Sequence, residues 1–461
     1  MNAATPEFAA AHGLKTTPAP PAYLEEPRGI AQGHGLLARP ETTAEVARII
    51  RACADARVGV IPYGGGTGLV GGQISGDGPA PVILSLERMT SVRSVDANAG
   101  TLTADAGATL AQVQDAADAA ARLFPLSLAS EGTARIGGNL ATNAGGVQVL
   151  RYGNARDLCL GVEAVLPDGT IHHGLTGLRK DNTGYDLRHL LIGSEGTLGV
   201  ITAATLRLFP RPAEQATAMA PVTSPAAAIS LLARLQDETG GMLTAFELIS
   251  GQGLHFLAET LPQVRQVFDT IPEWMVLAEA GAGRESGIEA AVTSGLMAGV
   301  EAGEALDVVL AQSGQQRDDF WTLRESIPAA NRAIGAISSH DISVPIGAIP
   351  DFLVSGAEVI RQIGPLRTNC FGHLGDGNLH YNIFAPTGEA VSEWRHLRAE
   401  VSGAVYDLVA EFGGSISAEH GIGRFKRDAL IRHADPAKLA AMSAIKAALD
   451  PQGIMNPGAV V

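Results

Sequence analysis

The sequence predicts an α+β protein built as two lobes. Three observations carry that expectation. The chain has 461 residues, enough for two or three separate cores. Its 55 glycines gather in dense clusters in the first half, with strand-like pieces between them. From Ala213 the composition shifts to Ala- and Leu-rich helical stretches alternating with strand-like runs such as MLTAFELI, which reads as a sheet with helices on one side.

The N-terminus, MNAATPEFAAAHGL, lacks a basic start followed by an apolar core, so no secretory signal is expected. No run reaches 18 uninterrupted apolar residues, and no membrane span is expected. The net charge of −15 without a basic run argues against nucleic acid as a partner, because phosphate neutralisation needs clustered Lys and Arg. Cys53, Cys159 and Cys370 have neither metal-ligand nor redox spacing, which fits a reducing, cytoplasmic setting.

Thr42 precedes TAEVARIIRACADAR. Thr42 and Glu45 read as a capping-box pair, and Val46, Ile49 and Ile50 give a helical apolar stripe. The strand VGVIPY follows, and then GGGTGLVGG, Gly64 to Gly72. Gly66, Gly68 and Gly71 satisfy the G-x-G-x-x-G spacing of a dinucleotide loop. That loop requires a helix directly after it, to set the pyrophosphate at the helix N-terminus. Here QISGDGPAPVILSL follows. Gly76, Gly78, Pro79 and Pro81 oppose a helix, and Val82 to Leu84 read as a strand. The dinucleotide-fold reading fails. What remains is a glycine loop between two strands, either a surface hairpin or a nest of backbone N–H groups for an anion.

Two further glycine segments decide between these readings: EGTARIGGNLATNAGG, Glu131 to Gly146, and GYDLRHLLIGSEGTLGVIT, Gly184 to Thr202. Three such segments imply extended backbone lying along one large ligand, because glycine lets the main chain approach closely. In the second lobe the stretch FGHLGDGNLHYNIF holds His373, Asp376, Asn378 and His380. Two imidazoles suit a transition metal if a loop folds back to a strand, with Glu419 of SISAEHGIG as a third donor. A turn in which Asp376 and Asn378 cap their own backbone is an equal alternative.

PYGGGTGLVGG, IGGNLATNAGG and GSEGTLGVIT together resemble the FAD-binding domain of the vanillyl-alcohol oxidase / p-cresol methylhydroxylase (PCMH-type) flavoproteins, from about Pro40 to Pro212. GHLGDGNLHYN, SAEHGIG and WTLRESIP resemble the FAD-linked oxidase C-terminal domain, whose members include D-2-hydroxyglutarate and D-lactate dehydrogenases and the flavin subunit of glycolate oxidase. LRKDNTGYDL and the step from Arg324 to Asp341 are most similar to the D-2-hydroxyglutarate branch.

The resemblance implies a PCMH-type FAD domain over residues 1–212, an α+β cap domain with an antiparallel sheet over 213–425, and a segment, 426–461, that returns to the flavin domain through the NPG at Asn456. Pro62, Gly64, Gly65, Gly66, Thr67, Gly68 and Leu69 are implied around the pyrophosphate. Gly132, Thr133, Gly137, Gly138, Asn139, Asn143, Gly145 and Gly146 are implied near the isoalloxazine ring and pyrophosphate. Glu195, Gly196 and Ile201 are implied along ribose and adenine. Members with tethered FAD use a histidine in the first loop; this loop has none, so non-covalent FAD is implied. His373, His380 and Glu419 would hold a divalent ion, zinc first and manganese or cobalt as alternatives.

The implied reaction is oxidation of a D-2-hydroxy acid, first D-2-hydroxyglutarate, by hydride transfer to flavin N5. His420 would be the base, Arg324 the clamp on a substrate carboxylate, and Asn378 a donor to a substrate oxygen. Electrons would pass to an electron-transfer flavoprotein or a quinone rather than NAD. A homodimer is an expected assembly. One position departs from the branch: a lysine commonly stands where this chain has Ser339, so the distal contact to a diacid is changed. Two other readings are a lactate- or glycolate-type dehydrogenase and a metallohydrolase at His373, His380 and Glu419. The hydrolase leaves the three glycine segments without a use. A non-catalytic flavin-binding protein is a further reading.

Overall fold

The computed structural model describes residues 1–461. The chain divides into two compact units. The first comprises Met1–Gly146, Gly153–Arg211 and Glu419–Val461; the second comprises Val147–Tyr152 and Pro212–Ala418. The chain therefore re-enters the first unit at Glu419 rather than at 426, and six residues, 147–152, belong to the second unit. The earlier return has a local cause: backbone N–H groups of Ile422, Gly423, Arg424 and Phe425 are all bonded to Glu195 or Val70 of the first unit.

In the first unit, four strands form one small sheet: β1 (Thr16–Pro18), β2 (Leu36–Ala38), β3 (Val60–Tyr63) and β4 (Val82–Ser85), in the order β1-β2-β4-β3. Between β2 and β3 runs helix α1 (Thr43–Ala56), which buries Val46, Ile49 and Ile50. Thr42 caps it by accepting from Glu45 N–H. The Glu45 carboxylate accepts from Glu41 N–H at 2.8 Å, so the reciprocal half of the expected box is made one residue earlier.

Strands β3 and β4 are parallel. A two-residue hairpin cannot join parallel strands. The glycine loop and the Gly- and Pro-rich run after it are therefore a crossover that has no helix, which disposes of the surface-hairpin reading. A second sheet, antiparallel throughout, follows: β5 (Val92–Asp96), β6 (Thr101–Asp105), β7 (Cys159–Val165), β8 (Ile171–Gly174) and β9 (Val200–Arg207), in the order β5-β6-β9-β7-β8. Helix α2 (Ile136–Thr142) carries the second glycine segment and packs beside β9.

The second unit is a seven-stranded antiparallel sheet. Its strands are β10 (Glu214–Val222), β11 (Leu243–Ser250), β12 (Trp274–Ala282), β13 (Val309–Leu310), β14 (Ala336–Ser343), β15 (Arg367–His373) and β16 (Asn378–Phe384), in the order β13-β10-β12-β11-β15-β16-β14. Helices cover both faces, not one. On one face α3 (Gly251–Thr260) and α4 (Gly314–Ile334) enclose Ile249, Leu277, Phe371 and Phe384 with their own Phe256, Leu323 and Ile327. On the other, α5 (Ile349–Ile363) sets Phe352 against Tyr381, and α6 (Arg398–Glu411) sets Tyr406 against His340.

All three cysteines are reduced and buried, and burial pushes the Cys53 and Cys159 thiols up to about 12. No helix is long and apolar enough to cross a membrane.

Candidate active site

The first unit contains a cleft with about 970 Å³ of space between its walls, part of it open to solvent. Its lining draws on all three glycine segments and on His420: Pro62, Gly64 to Gly68, Gly137 to Asn139, Glu195, Gly196 and Ile201 all take part. The local chemistry of the first loop explains how it could hold an anion. Its carbonyls are tied from behind. Leu69 O accepts from the Arg28 guanidinium, Gly68 O from Gln73 at 2.7 Å, Gly71 O from Arg424 at 2.8 Å, and Gly72 O from Asn456 at 2.9 Å. No amide N–H from Gly65 to Gly72 donates within the protein. A loop whose carbonyls are held by side chains and whose amides make no bond within the protein can serve as an anion nest.

Close approach fixes the glycines. A Cβ on Gly65 would lie 2.1 Å from Thr133 O, and Gly66 stands at φ +73°. Two buried polar atoms in the lining, Asn139 Nδ2 and Arg135 Nε, have no protein partner. These features fit a diphosphate with a polar ring system, which is what FAD presents.

Other expected cofactor residues stand behind this lining. Thr133 abuts the first loop through its carbonyl. Asn143, at φ +53°, ends α2 and accepts from Arg156 N–H at 3.0 Å. Gly146 N–H donates to Glu419 Oε1 at 2.6 Å, and a Cβ on Gly145 would lie 2.7 Å from the same oxygen. Gly132 and Leu69 do not line the cleft. Asn456, 2 % exposed, bridges Gly72 O and Glu195 O and so joins the first and third glycine segments. Glu195 has a role the motif did not announce. Its carboxylate accepts from Ile422 N–H at 2.7 Å and Gly423 N–H at 2.8 Å, gripping the loop just after His420. Burial pushes this carboxyl up, against the opposing pull of those two amides.

The second unit holds the other candidates. His373 ends β15 and His380 lies two residues into β16, joined by the turn Leu374–Gly377. Register places Phe371 opposite His380 and Asp341 opposite His380 on its other side, so these side chains share one face of the sheet. The two imidazole centroids are 5.5 Å apart. Asp376 accepts from Asn378 N–H, as the turn reading predicts. Asn378 turns inward and donates to Asp341 Oδ1 at 3.0 Å and Ile342 O at 2.9 Å, while its own buried Oδ1 has no protein partner. Ser339 is exposed and two residues from Asp341, hence on the same face.

Arg324 does not pair with a surface acid. It is 4 % exposed, and its Nε donates to Glu247 Oε2 at 2.8 Å with Nη2 2.6 Å from the same oxygen. Its guanidinium lies over the Phe371 ring. Glu247 Oε1 in turn accepts from His373 Nδ1 at 2.6 Å. Burial would raise this carboxyl, but its contacts with His373 and the Arg324 guanidinium outweigh it and hold it down to about 2. No sequence motif pointed to Glu247, and Asp341 entered only as part of the branch motif, with no role at the site. A signal for Glu247 was present: it is the one charge in the buried run LTAFELIS, and a charge there must be paired.

Residues 211–460 match the family of FAD linked oxidases, C-terminal domain, and residues 35–174 match the FAD binding domain. The chain is 37% identical over 446 residues to D-2-hydroxyglutarate dehydrogenase, mitochondrial, of Bos taurus, covering 95% of this chain and 79% of that protein. It is 36% identical over 424 residues to D-2-hydroxyglutarate dehydrogenase of Stutzerimonas stutzeri, covering 91% and 89%. Among solved structures, p-cresol methylhydroxylase with substrate bound superposes with a TM-score of 0.73 at 17% identity, over 92% of this chain and 88% of that one. Alkyldihydroxyacetonephosphate synthase gives 0.70 at 18% identity, over 99% and 85%.

Proposed function

The chain belongs to the FAD-linked oxidase family as an FAD-dependent D-2-hydroxy-acid dehydrogenase, and on that premise we propose that its substrate is D-2-hydroxyglutarate, oxidised to 2-oxoglutarate with the help of a divalent ion. The observation that carries this is a polar cluster in the second unit: two imidazoles with ring centroids 5.5 Å apart, Asn378 on the strand of His380, and the buried Arg324 of α4 joined to His373 through Glu247. When bound, FAD supplies the two-electron acceptor and a divalent ion supplies a Lewis acid for the substrate hydroxyl and carboxylate. His373 and His380 are the nitrogen donors such an ion needs, with Glu419 the third donor on the sequence resemblance.

The protein's own groups would divide the remaining work. His420 lines the flavin cleft and is the base for the hydroxyl proton, the role a histidine side chain most often takes in proton abstraction. Arg324 binds a carboxylate with Nη1, which makes no bond within the protein. Asn378 offers a buried amide oxygen that a substrate hydroxyl could satisfy. Electrons leave to an electron-transfer flavoprotein or a quinone. The second reading, a substrate of D-lactate or glycolate type, is favoured by one observation: Ser339 puts no cation on this face for a distal carboxylate.

Steady-state assay of D- and L-2-hydroxy acids with a dye acceptor, with and without chelator, tests the proposal. The expected result is the highest kcat/KM for D-2-hydroxyglutarate and its loss with chelator. A higher value for D-lactate would move the assignment to the second reading, and turnover of L-acids alone would reject both.

A further inference from the structure

We infer that Glu247 is a positioning residue for a divalent ion at His373, fixing the ring so that Nε2 is the ligating nitrogen, and that it ties this ligand to the substrate arginine. The inference rests on the metal reading above and adds a residue to it. An ionised carboxylate can only accept, so at 2.6 Å the proton between Glu247 and His373 sits on Nδ1. A neutral imidazole then carries its lone pair on Nε2, at the opposite edge of the ring. Metal-binding histidines ordinarily have their second nitrogen held in this way, and the carboxylate also makes the ring a stronger donor.

The surroundings make the contact rigid. Glu247 is fully buried, His373 is 6 % exposed, and backbone pairing sets the two residues opposite each other on neighbouring strands. The second carboxylate oxygen is locked by Arg324, itself stacked on Phe371. Buried ion-pair arrays stabilise little relative to apolar residues of the same volume. Stability alone therefore gives no reason for an ionisable residue, Glu247, in the otherwise uncharged strand LTAFELIS, buried between His373 of β15 and Arg324 of α4.

The test is metal affinity of the full-length, flavin-bearing protein, measured with Zn²⁺ by chelator competition and with Co²⁺ by its visible ligand-field bands. Glu247→Gln and Glu247→Leu should weaken Zn²⁺ by about ten- to a hundred-fold and alter the Co²⁺ bands, with flavin content unchanged. If either single variant fails to fold because Arg324 is stranded, Glu247→Gln in an Arg324→Gln background is compared with Arg324→Gln alone, and the same loss is expected. Folded variants that bind Zn²⁺ within twofold of their parent overturn the inference and leave the metal reading standing. A parent protein that takes up neither ion overturns both.

Discussion

At His420, removing the imidazole should separate flavin binding from chemistry. The first loop offers main-chain amides that make no bond within the protein, a set that does not depend on His420, so His420→Ala should keep its FAD. Flavin reduction by substrate should slow by about 10²- to 10⁴-fold, the usual share of a positioned base. Rapid-mixing kinetics on flavin-replete variant would show it, and an unchanged rate would remove His420 from the base role. Ser339 makes the complementary prediction. A lysine there would stand on the face that carries Asp341 and His380. Ser339→Lys should raise kcat/KM for D-2-hydroxyglutarate relative to D-lactate by roughly tenfold, as one charge-assisted hydrogen bond is worth about 1.5–3 kcal/mol. The two histidines, Arg324 and Asn378 were legible because motifs placed them. The contacts of Asp341 and Glu247 were not, since they depend on which strand pairs with which: β14 sets Asp341 against His380 of β16, and β11, from a distant part of the chain, sets Glu247 against His373 of β15.

At the scale of elements, the glycine segments work through backbone spacing. Gly65→Ala would drive a Cβ into Thr133 O, which is main chain and cannot swing aside. It should lower stability by about 1–3 kcal/mol and abolish flavin retention, both visible in a thermal melt followed by flavin fluorescence. Asn456→Ala orphans the Glu195 carbonyl and leaves Gly72 O with Arg424 Nη1 alone, at 3.2 Å. A loss of about 1–3 kcal/mol per orphaned group is expected, with faster FAD dissociation and little change in substrate KM. Helix α1 was legible from its cap and stripe, and the failed dinucleotide motif correctly foretold a strand at Val82. The parallel pairing of β3 and β4 was not legible, because glycine and proline mark a loop without saying which way its strands run. The short segment 147–152 escaped for a similar reason: VQVLRY has no period long enough to assign.

At the scale of the whole molecule, the glycine-lined cleft belongs to one unit and the hairpin that bears His373 and His380 to the other. Metal and flavin should therefore be removable separately. Chelation should abolish turnover while leaving the flavin spectrum intact, and Zn²⁺, Mn²⁺ or Co²⁺ should restore it. Full turnover in metal-free protein would delete the ion from the account. The central claim is that this chain takes two electrons from a D-2-hydroxy acid into a flavin. Anaerobic titration of purified, metal-replete protein with D-2-hydroxyglutarate, followed at the flavin's visible band, tests it most directly. Bleaching by the D-acid and none by the L-acid is predicted; a flavin that stays oxidised with every D-2-hydroxy acid tried would contradict it.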